Sequence, residues 1–422
     1  MKIALASYGS RGDVEPCVAF GHELQRRGHE VRMAVAPDMV GFVESAGLTA
    51  VAYGIPTRPW QDVHRDFLGL LLGRFWKTRD LIALGRRDWR LFTQCWKEMS
   101  STLTSLAEGA DLLLTGVLAE DAAANVAEYY GIPLATLHFA PMRPNAANES
   151  VMPAAWGRAA GSLFDWLAWR LTKRLEDVQR RALGLPKARG PVSRRMTERG
   201  SLEIQAYDEV CFPGLAAEWA KRNGQRPFVG ALTMELPTEA DEEAASWISA
   251  GTPPIYFGFG SMPVESPADL LVVISGVCAQ LGERALVCSG WSDFCDLPHF
   301  DHVKMVGAVN HAAIFPSCRA VVHHGGAGTT AASLRAGVPT LILSIWAEQA
   351  LWADVVKRLN VGTARRFSAT TRETLLEDLR TILAPRYAAR AREVATQMTK
   401  PAESVAAAGD LVEKFARLRH CG

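Results

Sequence analysis

Two stretches of this chain alternate short, wholly apolar runs with helix-length segments, and that alternation decides most of what it can fold into. Short runs without polar interruption suit strands buried on both faces, and such strands belong to parallel sheets covered by helices. In the first stretch, residues 2–7 are apolar and run into the turn Gly9-Ser10-Arg11-Gly12-Asp13. Pro16 suits the first turn of the helix that follows, with Asp13 and Glu15 near its positive end. Cys17, Phe20, Gly21 and Leu24 continue at helical spacing, Gly28 stops the helix, and residues 31–35 form the next strand. Residues 111–118 and 132–138 are further strands around a helix-like 119–130. The second stretch offers strands at 255–259, 284–289, 303–306, 320–323 and 339–345, with helices at 267–282, 327–336 and 348–359. The fold class expected is α/β, with two Rossmann-like domains facing each other across a cleft.

At 422 residues there is room for two domains with full cores. The boundaries expected are a first domain over 1–235, an acidic linker over 236–254, a second domain over 255–385 and a helical tail over 386–422 able to cross back to the first. Lys plus Arg at 46 against Asp plus Glu at 45 gives no reason to expect a nucleic-acid partner. The eight cysteines are scattered, with no C-x-x-C pair and no Cys/His cluster at zinc spacing, so no metal site is expected. Neither a signal peptide nor an uninterrupted apolar stretch of membrane-spanning length is found, and the expected location is the cytoplasm.

Seven of the twelve tryptophans fall before residue 170, in two stretches that are less regular. Residues 56–105 carry Trp60, Phe67, Phe75, Trp76, Trp89, Phe92 and Trp96 among arginines, and residues 151–200 carry Trp156, Phe164, Trp166 and Trp169 before a basic run. Residues 170–199 hold ten Lys/Arg against three Asp/Glu. One account is amphipathic helices with solvated charges. The other is an apolar acceptor site with a basic rim, Lys173, Arg174, Arg180 and Arg181, leaning on the inner face of a membrane.

The most specific motif is His323-His324-Gly325-Gly326-Ala327-Gly328-Thr329-Thr330, between a strand and a helix. Glycines let the backbone approach a ligand, and the following helix presents free N–H groups and a positive dipole end, which suits a diphosphate. The segment is neither a G-x-x-x-x-G-K-[ST] loop nor a G-x-G-x-x-G turn, so nucleotide hydrolysis and nicotinamide chemistry are not indicated.

Residues 323–330, with Gly337-Val338-Pro339 and Glu348-Gln349, resemble the nucleotide-sugar signature of family 1 glycosyltransferases of the GT-B fold. The opening Gly9–Asp13 turn with Glu15-Pro16, together with Gly258-Phe259-Gly260-Ser261-Met262, Ser289-Gly290-Trp291 and Gly307-Ala308-Val309-Asn310-His311, resembles the branch holding glycopeptide-antibiotic, sterol and macrolide glycosyltransferases. Residues 6–17 look most like enzymes that glycosylate glycopeptidolipids and related cell-envelope glycolipids. The resemblance implies catalytic roles for Asp13, as the base toward the acceptor hydroxyl, and for His324, on the leaving diphosphate. Helix capping is the other account of Asp13. The resemblance further implies donor contacts from Ser10, Gly12, Gly260 and Ser261, stacking of the base on Trp291 and reading of its edge near Val309 and Asn310. It places the diphosphate at Gly326, Gly328 and Thr329 and the sugar hydroxyls at Glu348 and Gln349. Glu348 stands where the family usually has Asp, which leaves the donor sugar open.

The expected reaction is therefore inverting transfer of a hexose or deoxyhexose from a UDP- or dTDP-sugar to a hydroxyl of a lipidic acceptor, without metal or cofactor. A sterol or polyketide acceptor is the alternative, and a glycolipid-binding member without transfer activity is the non-enzymatic one. A nucleotide-sugar epimerase would share the architecture but lacks a Gly9–Asp13 turn.

Overall fold

The computed structural model describes residues 1–73, 76–145, 154–222, 224–260, 266–289, 299–345 and 347–420. It contains two parallel six-stranded sheets. The first consists of β1 (Lys2–Ser7), β2 (Glu30–Val35), β3 (Ala50–Ala52), β4 (Leu112–Gly116), β5 (Leu134–His138) and β6 (Leu202–Gln205), in the order 3-2-1-4-5-6. The second consists of β7 (Ile255–Gly258), β8 (Ala285–Cys288), β9 (Val303–Val306), β10 (Ala320–His323), β11 (Thr340–Ser344) and β12 (Gly362–Arg366), in the order 12-11-10-7-8-9. Counted from its own first strand, the second sheet repeats the order of the first. In each sheet the strand order reverses between two central strands, β1 and β4 or β7 and β10, where open α/β sheets place their ligands.

The central strands are buried throughout, as their apolar runs require: Ile3, Leu5, Val322 and Leu341 are inaccessible to water. The polar strands lie outside. In β12, Gly-Thr-Ala-Arg-Arg borders only β11, so one side needs no apolar cover. Gly362 begins that strand because a side chain there would collide with the Thr340 carbonyl.

The chain divides into two compact units that interleave along the sequence. The first unit is Met1–Ala206, Gly214–Leu232 and the C-terminal segment from Ala402; the second is Tyr207–Pro213 and Thr233–Pro401. The helix Pro401–His420 closes the first unit, where Arg27 pairs with Asp410 at 2.7 Å and His29 with Glu413 at 2.9 Å. The acidic segment 236–254, expected as a linker, contributes instead a helix of the second unit, Ala240–Ser249. Thr238 donates to the Asp241 carboxylate from its backbone (2.7 Å) and its hydroxyl (2.8 Å), and Ala244 and Ile248 pack beside Val306 and Ile314. Its acidic residues complement the positive end of a helix, which is why composition alone made them look like a solvated connector.

Candidate active site

In the first unit the turn after β1 is a capped helix start. Ser10 precedes the helix Arg11–Arg26, and Asp13 in its first turn reaches back: Ser10 donates to Asp13 Oδ2 from its N–H at 2.8 Å and from its hydroxyl at 3.3 Å. Ser7 at the end of β1 donates to the Asp13 carbonyl at 2.9 Å. Gly9 is required on two counts, its φ of +136° and the Asp13 carboxylate, which lies where a β-carbon would stand. Asp13 is therefore fixed in place by the turn, and capping and catalytic candidacy fall on one carboxylate. Gly12 is exposed, and its nearest neighbour in the direction of a side chain is Ser10 Oγ at 3.8 Å.

Tyr8, one residue before that turn, opens an aromatic row. Its ring centroid lies 6.3 Å from Tyr53 and 5.8 Å from Trp60, and Phe92 continues 5.9 Å from Trp60, with Trp96 5.9 Å beyond it. Trp60 and Phe92 belong to two long helices, Thr57–Gly73 and Thr78–Leu106, which pack on each other. On the second helix, Ile82, Gly85, Arg86, Trp89 and Arg90 line an open groove of about 670 Å³. The aromatics thus divide between the two sequence accounts: Trp60 is half-buried against Tyr8 and Phe92 while Trp76 and Trp89 are exposed.

In the second unit the turns after β7 and β10 are neighbours because His323 pairs with Gly258 across the sheet. His324 is wedged between them. Its Cε1 lies 2.9 Å from where a β-carbon on Gly260 would be, and its Nε2 lies 2.6 Å from one on Gly326. Any side chain at either glycine would displace the imidazole. Burial pushes the His324 pKa down to about 4, against a smaller opposing effect from the Gly258 carbonyl, so at neutral pH the ring offers one N–H and no charge. His323 is buried and accepts from Gly325 N–H at 3.0 Å, which shapes the turn, and Gly325 takes a φ of +95°. The helix Ala327–Ala336 then begins at Gly326 with no described side chain capping it and no acid in its first turn. Gly328 and Thr329 sit in that turn, so its N–H groups remain available to an anion.

Other candidates serve the fold visibly. Asn310 caps the short helix His311–Ile314 by accepting from Ala312 N–H at 3.0 Å, while its own N–H donates to Asp241 at 2.7 Å; Val309 before it is buried. Gln349 accepts from Ile345 N–H at 2.7 Å, and Glu348 is exposed in the first turn of the helix Ala347–Arg358. Ser261 and Trp291 lie outside the described residues. Among the described residues no group of three His, Cys, Asp or Glu side chains is placed to hold a metal ion, and no helix is long and apolar enough to cross a membrane.

Sequence inspection missed a buried ionic chain at the carboxyl ends of β4 and β5. Glu120 meets His138 at 2.7 Å and Arg143 at 2.8 Å, and Arg143 Nε donates to Glu203 at 2.5 Å. Burial alone would raise the Glu120 pKa, but the charges of Arg143 and His138 outweigh it and hold the group at about 2. The next residue goes the other way: burial, then the nearby Glu176 carboxylate, raises Asp121 to about 7. These residues are scattered in sequence, and only the buried ends of adjacent strands unite them.

The expected basic rim also needs correction. Arg180 is buried, bonded to Asn125 at 2.7 Å and paired with Glu128 at 2.9 Å, and Lys173 pairs with Asp177 at 3.0 Å over the Trp169 ring. Arg180 faces inward to an acid of the helix Glu120–Tyr130, while Lys173, part-buried, pairs along its own helix.

Comparison with known proteins agrees with this geometry. Residues 3–97 match the glycosyltransferase family 28 N-terminal domain, and residues 286–414 match the erythromycin biosynthesis protein CIII-like C-terminal domain. An uncharacterized glycosyltransferase of Mycobacterium tuberculosis (strain H37Rv) is 59% identical over 419 residues, 99% of each chain. A sterol 3-beta-glucosyltransferase of Arabidopsis thaliana is 29% identical over 97% of this chain and 67% of its own. The crystal structure of the glycosyltransferase VinC in complex with dTDP superposes with a TM-score of 0.64 at 19% identity, covering 100% of both chains. The chain therefore belongs to the nucleotide-sugar-dependent glycosyltransferases of the GT-B fold, in the family 1 group that its motifs resemble.

Proposed function

We propose that the protein transfers a hexose or deoxyhexose from a UDP- or dTDP-sugar to a hydroxyl of a lipidic acceptor, a glycopeptidolipid or related cell-envelope glycolipid, with inversion at the anomeric carbon. The observation that carries this reading is the uncapped start of the helix Ala327–Ala336 beside a neutral, glycine-wedged His324. Backbone N–H groups and one imidazole N–H suit the diphosphate that departs. Asp13 takes the proton from the acceptor oxygen as that oxygen bonds to the anomeric carbon. The bond from that carbon to the diphosphate oxygen breaks, its electron pair leaves with the nucleotide diphosphate, and one displacement gives inversion. Helix N–H groups and His324 supply the neutralisation, and no metal is required. In this reading Glu348, with its longer arm than Asp, serves the sugar hydroxyls and Trp291 stacks on the base.

The apolar acceptor is supported by the aromatic row that begins at Tyr8 and by the groove beside Trp89. A sterol is the second reading, favoured by the similarity to a sterol glucosyltransferase. The test is incubation of the purified protein with UDP- and dTDP-sugars and either a glycolipid fraction or sterols. Release of nucleotide diphosphate is measured and products are weighed by mass spectrometry, with and without chelator. Glycosylated glycolipid at undiminished rate in chelator is the expected outcome. Transfer only to sterols would move the acceptor, and no transfer to any acceptor would remove the enzymatic reading.

A further inference from the structure

Among the described residues, the helix Ala154–Ala182 leaves one apolar face exposed. Leu163, Phe164, Leu167, Leu171 and Val178 fall on it at helical spacing and are all exposed, Phe164 by 74% and Leu171 by 70%. Residues 163–178 span about 22 Å along the helix axis. A stripe of this length is more than the scattered apolar exposure of an ordinary surface.

The charges on the helix are sorted by face. Two of its acids are engaged on the opposite face, Asp165 accepting from Ser193 and Glu176 pairing with Arg195, while Asp177, on the flank of the stripe, is neutralised by Lys173. Arg170, Arg174 and Arg181 flank the stripe and are exposed, and among the described residues none of them pairs with a carboxylate. Arg170 instead lies over the exposed Trp166 ring, 5.7 Å from its centroid. One face is therefore apolar with a net cationic flank, while the opposite face is buried and ion-paired.

We propose that this face docks on an anionic lipid surface. Leu and Phe side chains enter the boundary between headgroups and acyl chains, and the arginines extend along the surface to lipid phosphates. A second copy of the chain is the weaker occupant. A symmetric pairing of this face with itself would set arginines against arginines with no acid to offset them. The proposal concerns where the protein sits and does not depend on which acceptor it glycosylates.

The test uses the full chain without donor or acceptor, sedimented with phosphatidylcholine vesicles with and without phosphatidylglycerol, at low and high salt. Wild type should bind the anionic vesicles, less so as salt rises. The Phe164→Ser, Leu171→Ser double variant should lower the partition coefficient by about tenfold or more. The Arg170→Gln, Arg174→Gln, Arg181→Gln triple variant should lower it on anionic vesicles by about tenfold and flatten its salt dependence. Both variants should keep the melting-temperature rise that nucleotide diphosphate gives wild type, which shows that they are folded. Absence of wild-type binding at low salt would overturn the proposal, as would undiminished binding by the folded double variant. A wild-type dimer that dissolves in the double variant, with no vesicle binding, would assign the face to a second copy. Transfer assays with detergent-dispersed acceptor fail or succeed independently of these outcomes.

Discussion

The turn after β1 and the turn after β10 are built alike and finished differently. Each joins a central strand to a helix through glycines at the point where its sheet reverses order. In the first, Ser10 and Asp13 close the start of the helix with the chain's own carboxylate. In the second, Gly326 begins the helix with no described side chain across it and no acid in the first turn. A helix start that carries its own anion is a poor place for another, while an open one attracts it. One local plan thus serves to position a base in one unit and to receive a diphosphate in the other.

The largest effect should come from removing the basicity of the first turn. Asp13→Asn keeps an acceptor oxygen for Ser10, so the helix start survives while turnover falls by about 10²-fold or more. Single-turnover rates beside donor calorimetry check this, and near-normal turnover would reduce Asp13 to a cap. The second turn should be sensitive to volume. A methyl at Gly326 meets His324 Nε2 at 2.6 Å, so Gly326→Ala should weaken nucleotide-diphosphate affinity by about tenfold, one lost neutral hydrogen bond. Gly12→Ala in the first turn meets nothing nearer than 3.8 Å and should leave the folded protein as stable or about 0.5–1 kcal/mol more so. Equal losses at the two glycines would erase the contrast.

Two groups, one in each unit, should also answer acid with opposite sign. The His324 pKa is lowered from 6.5 to about 4, so below pH 6.5 the unfolded chain binds the proton first and stability falls as pH drops toward 4. The Asp121 pKa is raised from 3.8 to about 7, so the folded state binds the proton first and stability rises as pH drops from 7 toward 4. Melting curves of Asp121→Asn and His324→Asn across pH 4 to 7 separate the two: the first variant should gain over wild type toward pH 7, and the second should lose part of the acid sensitivity, the share of buried His323 remaining. A modest effect is expected at Ser10→Ala, about 1 kcal/mol for a lost cap, measured by chemical denaturation.

The central strands and both glycine turns were legible because burial on two faces and backbone approach each leave a local signature. The helix Ala327–Ala336 and the strand Ala320–His323 lie within the bounds their residues suggested. The edge strand Gly362–Arg366 was not legible, since Arg365 faces an ion pair with Asp378 at 2.6 Å and the run looks like a polar loop. The helix Ala240–Ser249 was mistaken for a linker because acids at a helix start and acids in a connector have the same composition. The Glu120–His138–Arg143–Glu203 chain had no sequence signal at all, its members standing up to 83 positions apart and meeting only when strands are aligned. Arg180 was given the wrong side of its helix because a count of charges carries no direction.

The interleaving of the two units has a consequence for synthesis. The first unit contains residue 1 and also the last helix, whose Asp410 and Glu413 meet Arg27 and His29. At about 5–20 residues per second, an emerging chain reaches that helix only after the whole second unit has been made. The amino-terminal sheet must therefore wait on the ribosome with Arg27 lacking Asp410 and His29 lacking Glu413, and a fragment ending near residue 235 would lack its closing helix. A segment made after the second unit completes the unit that was begun before it.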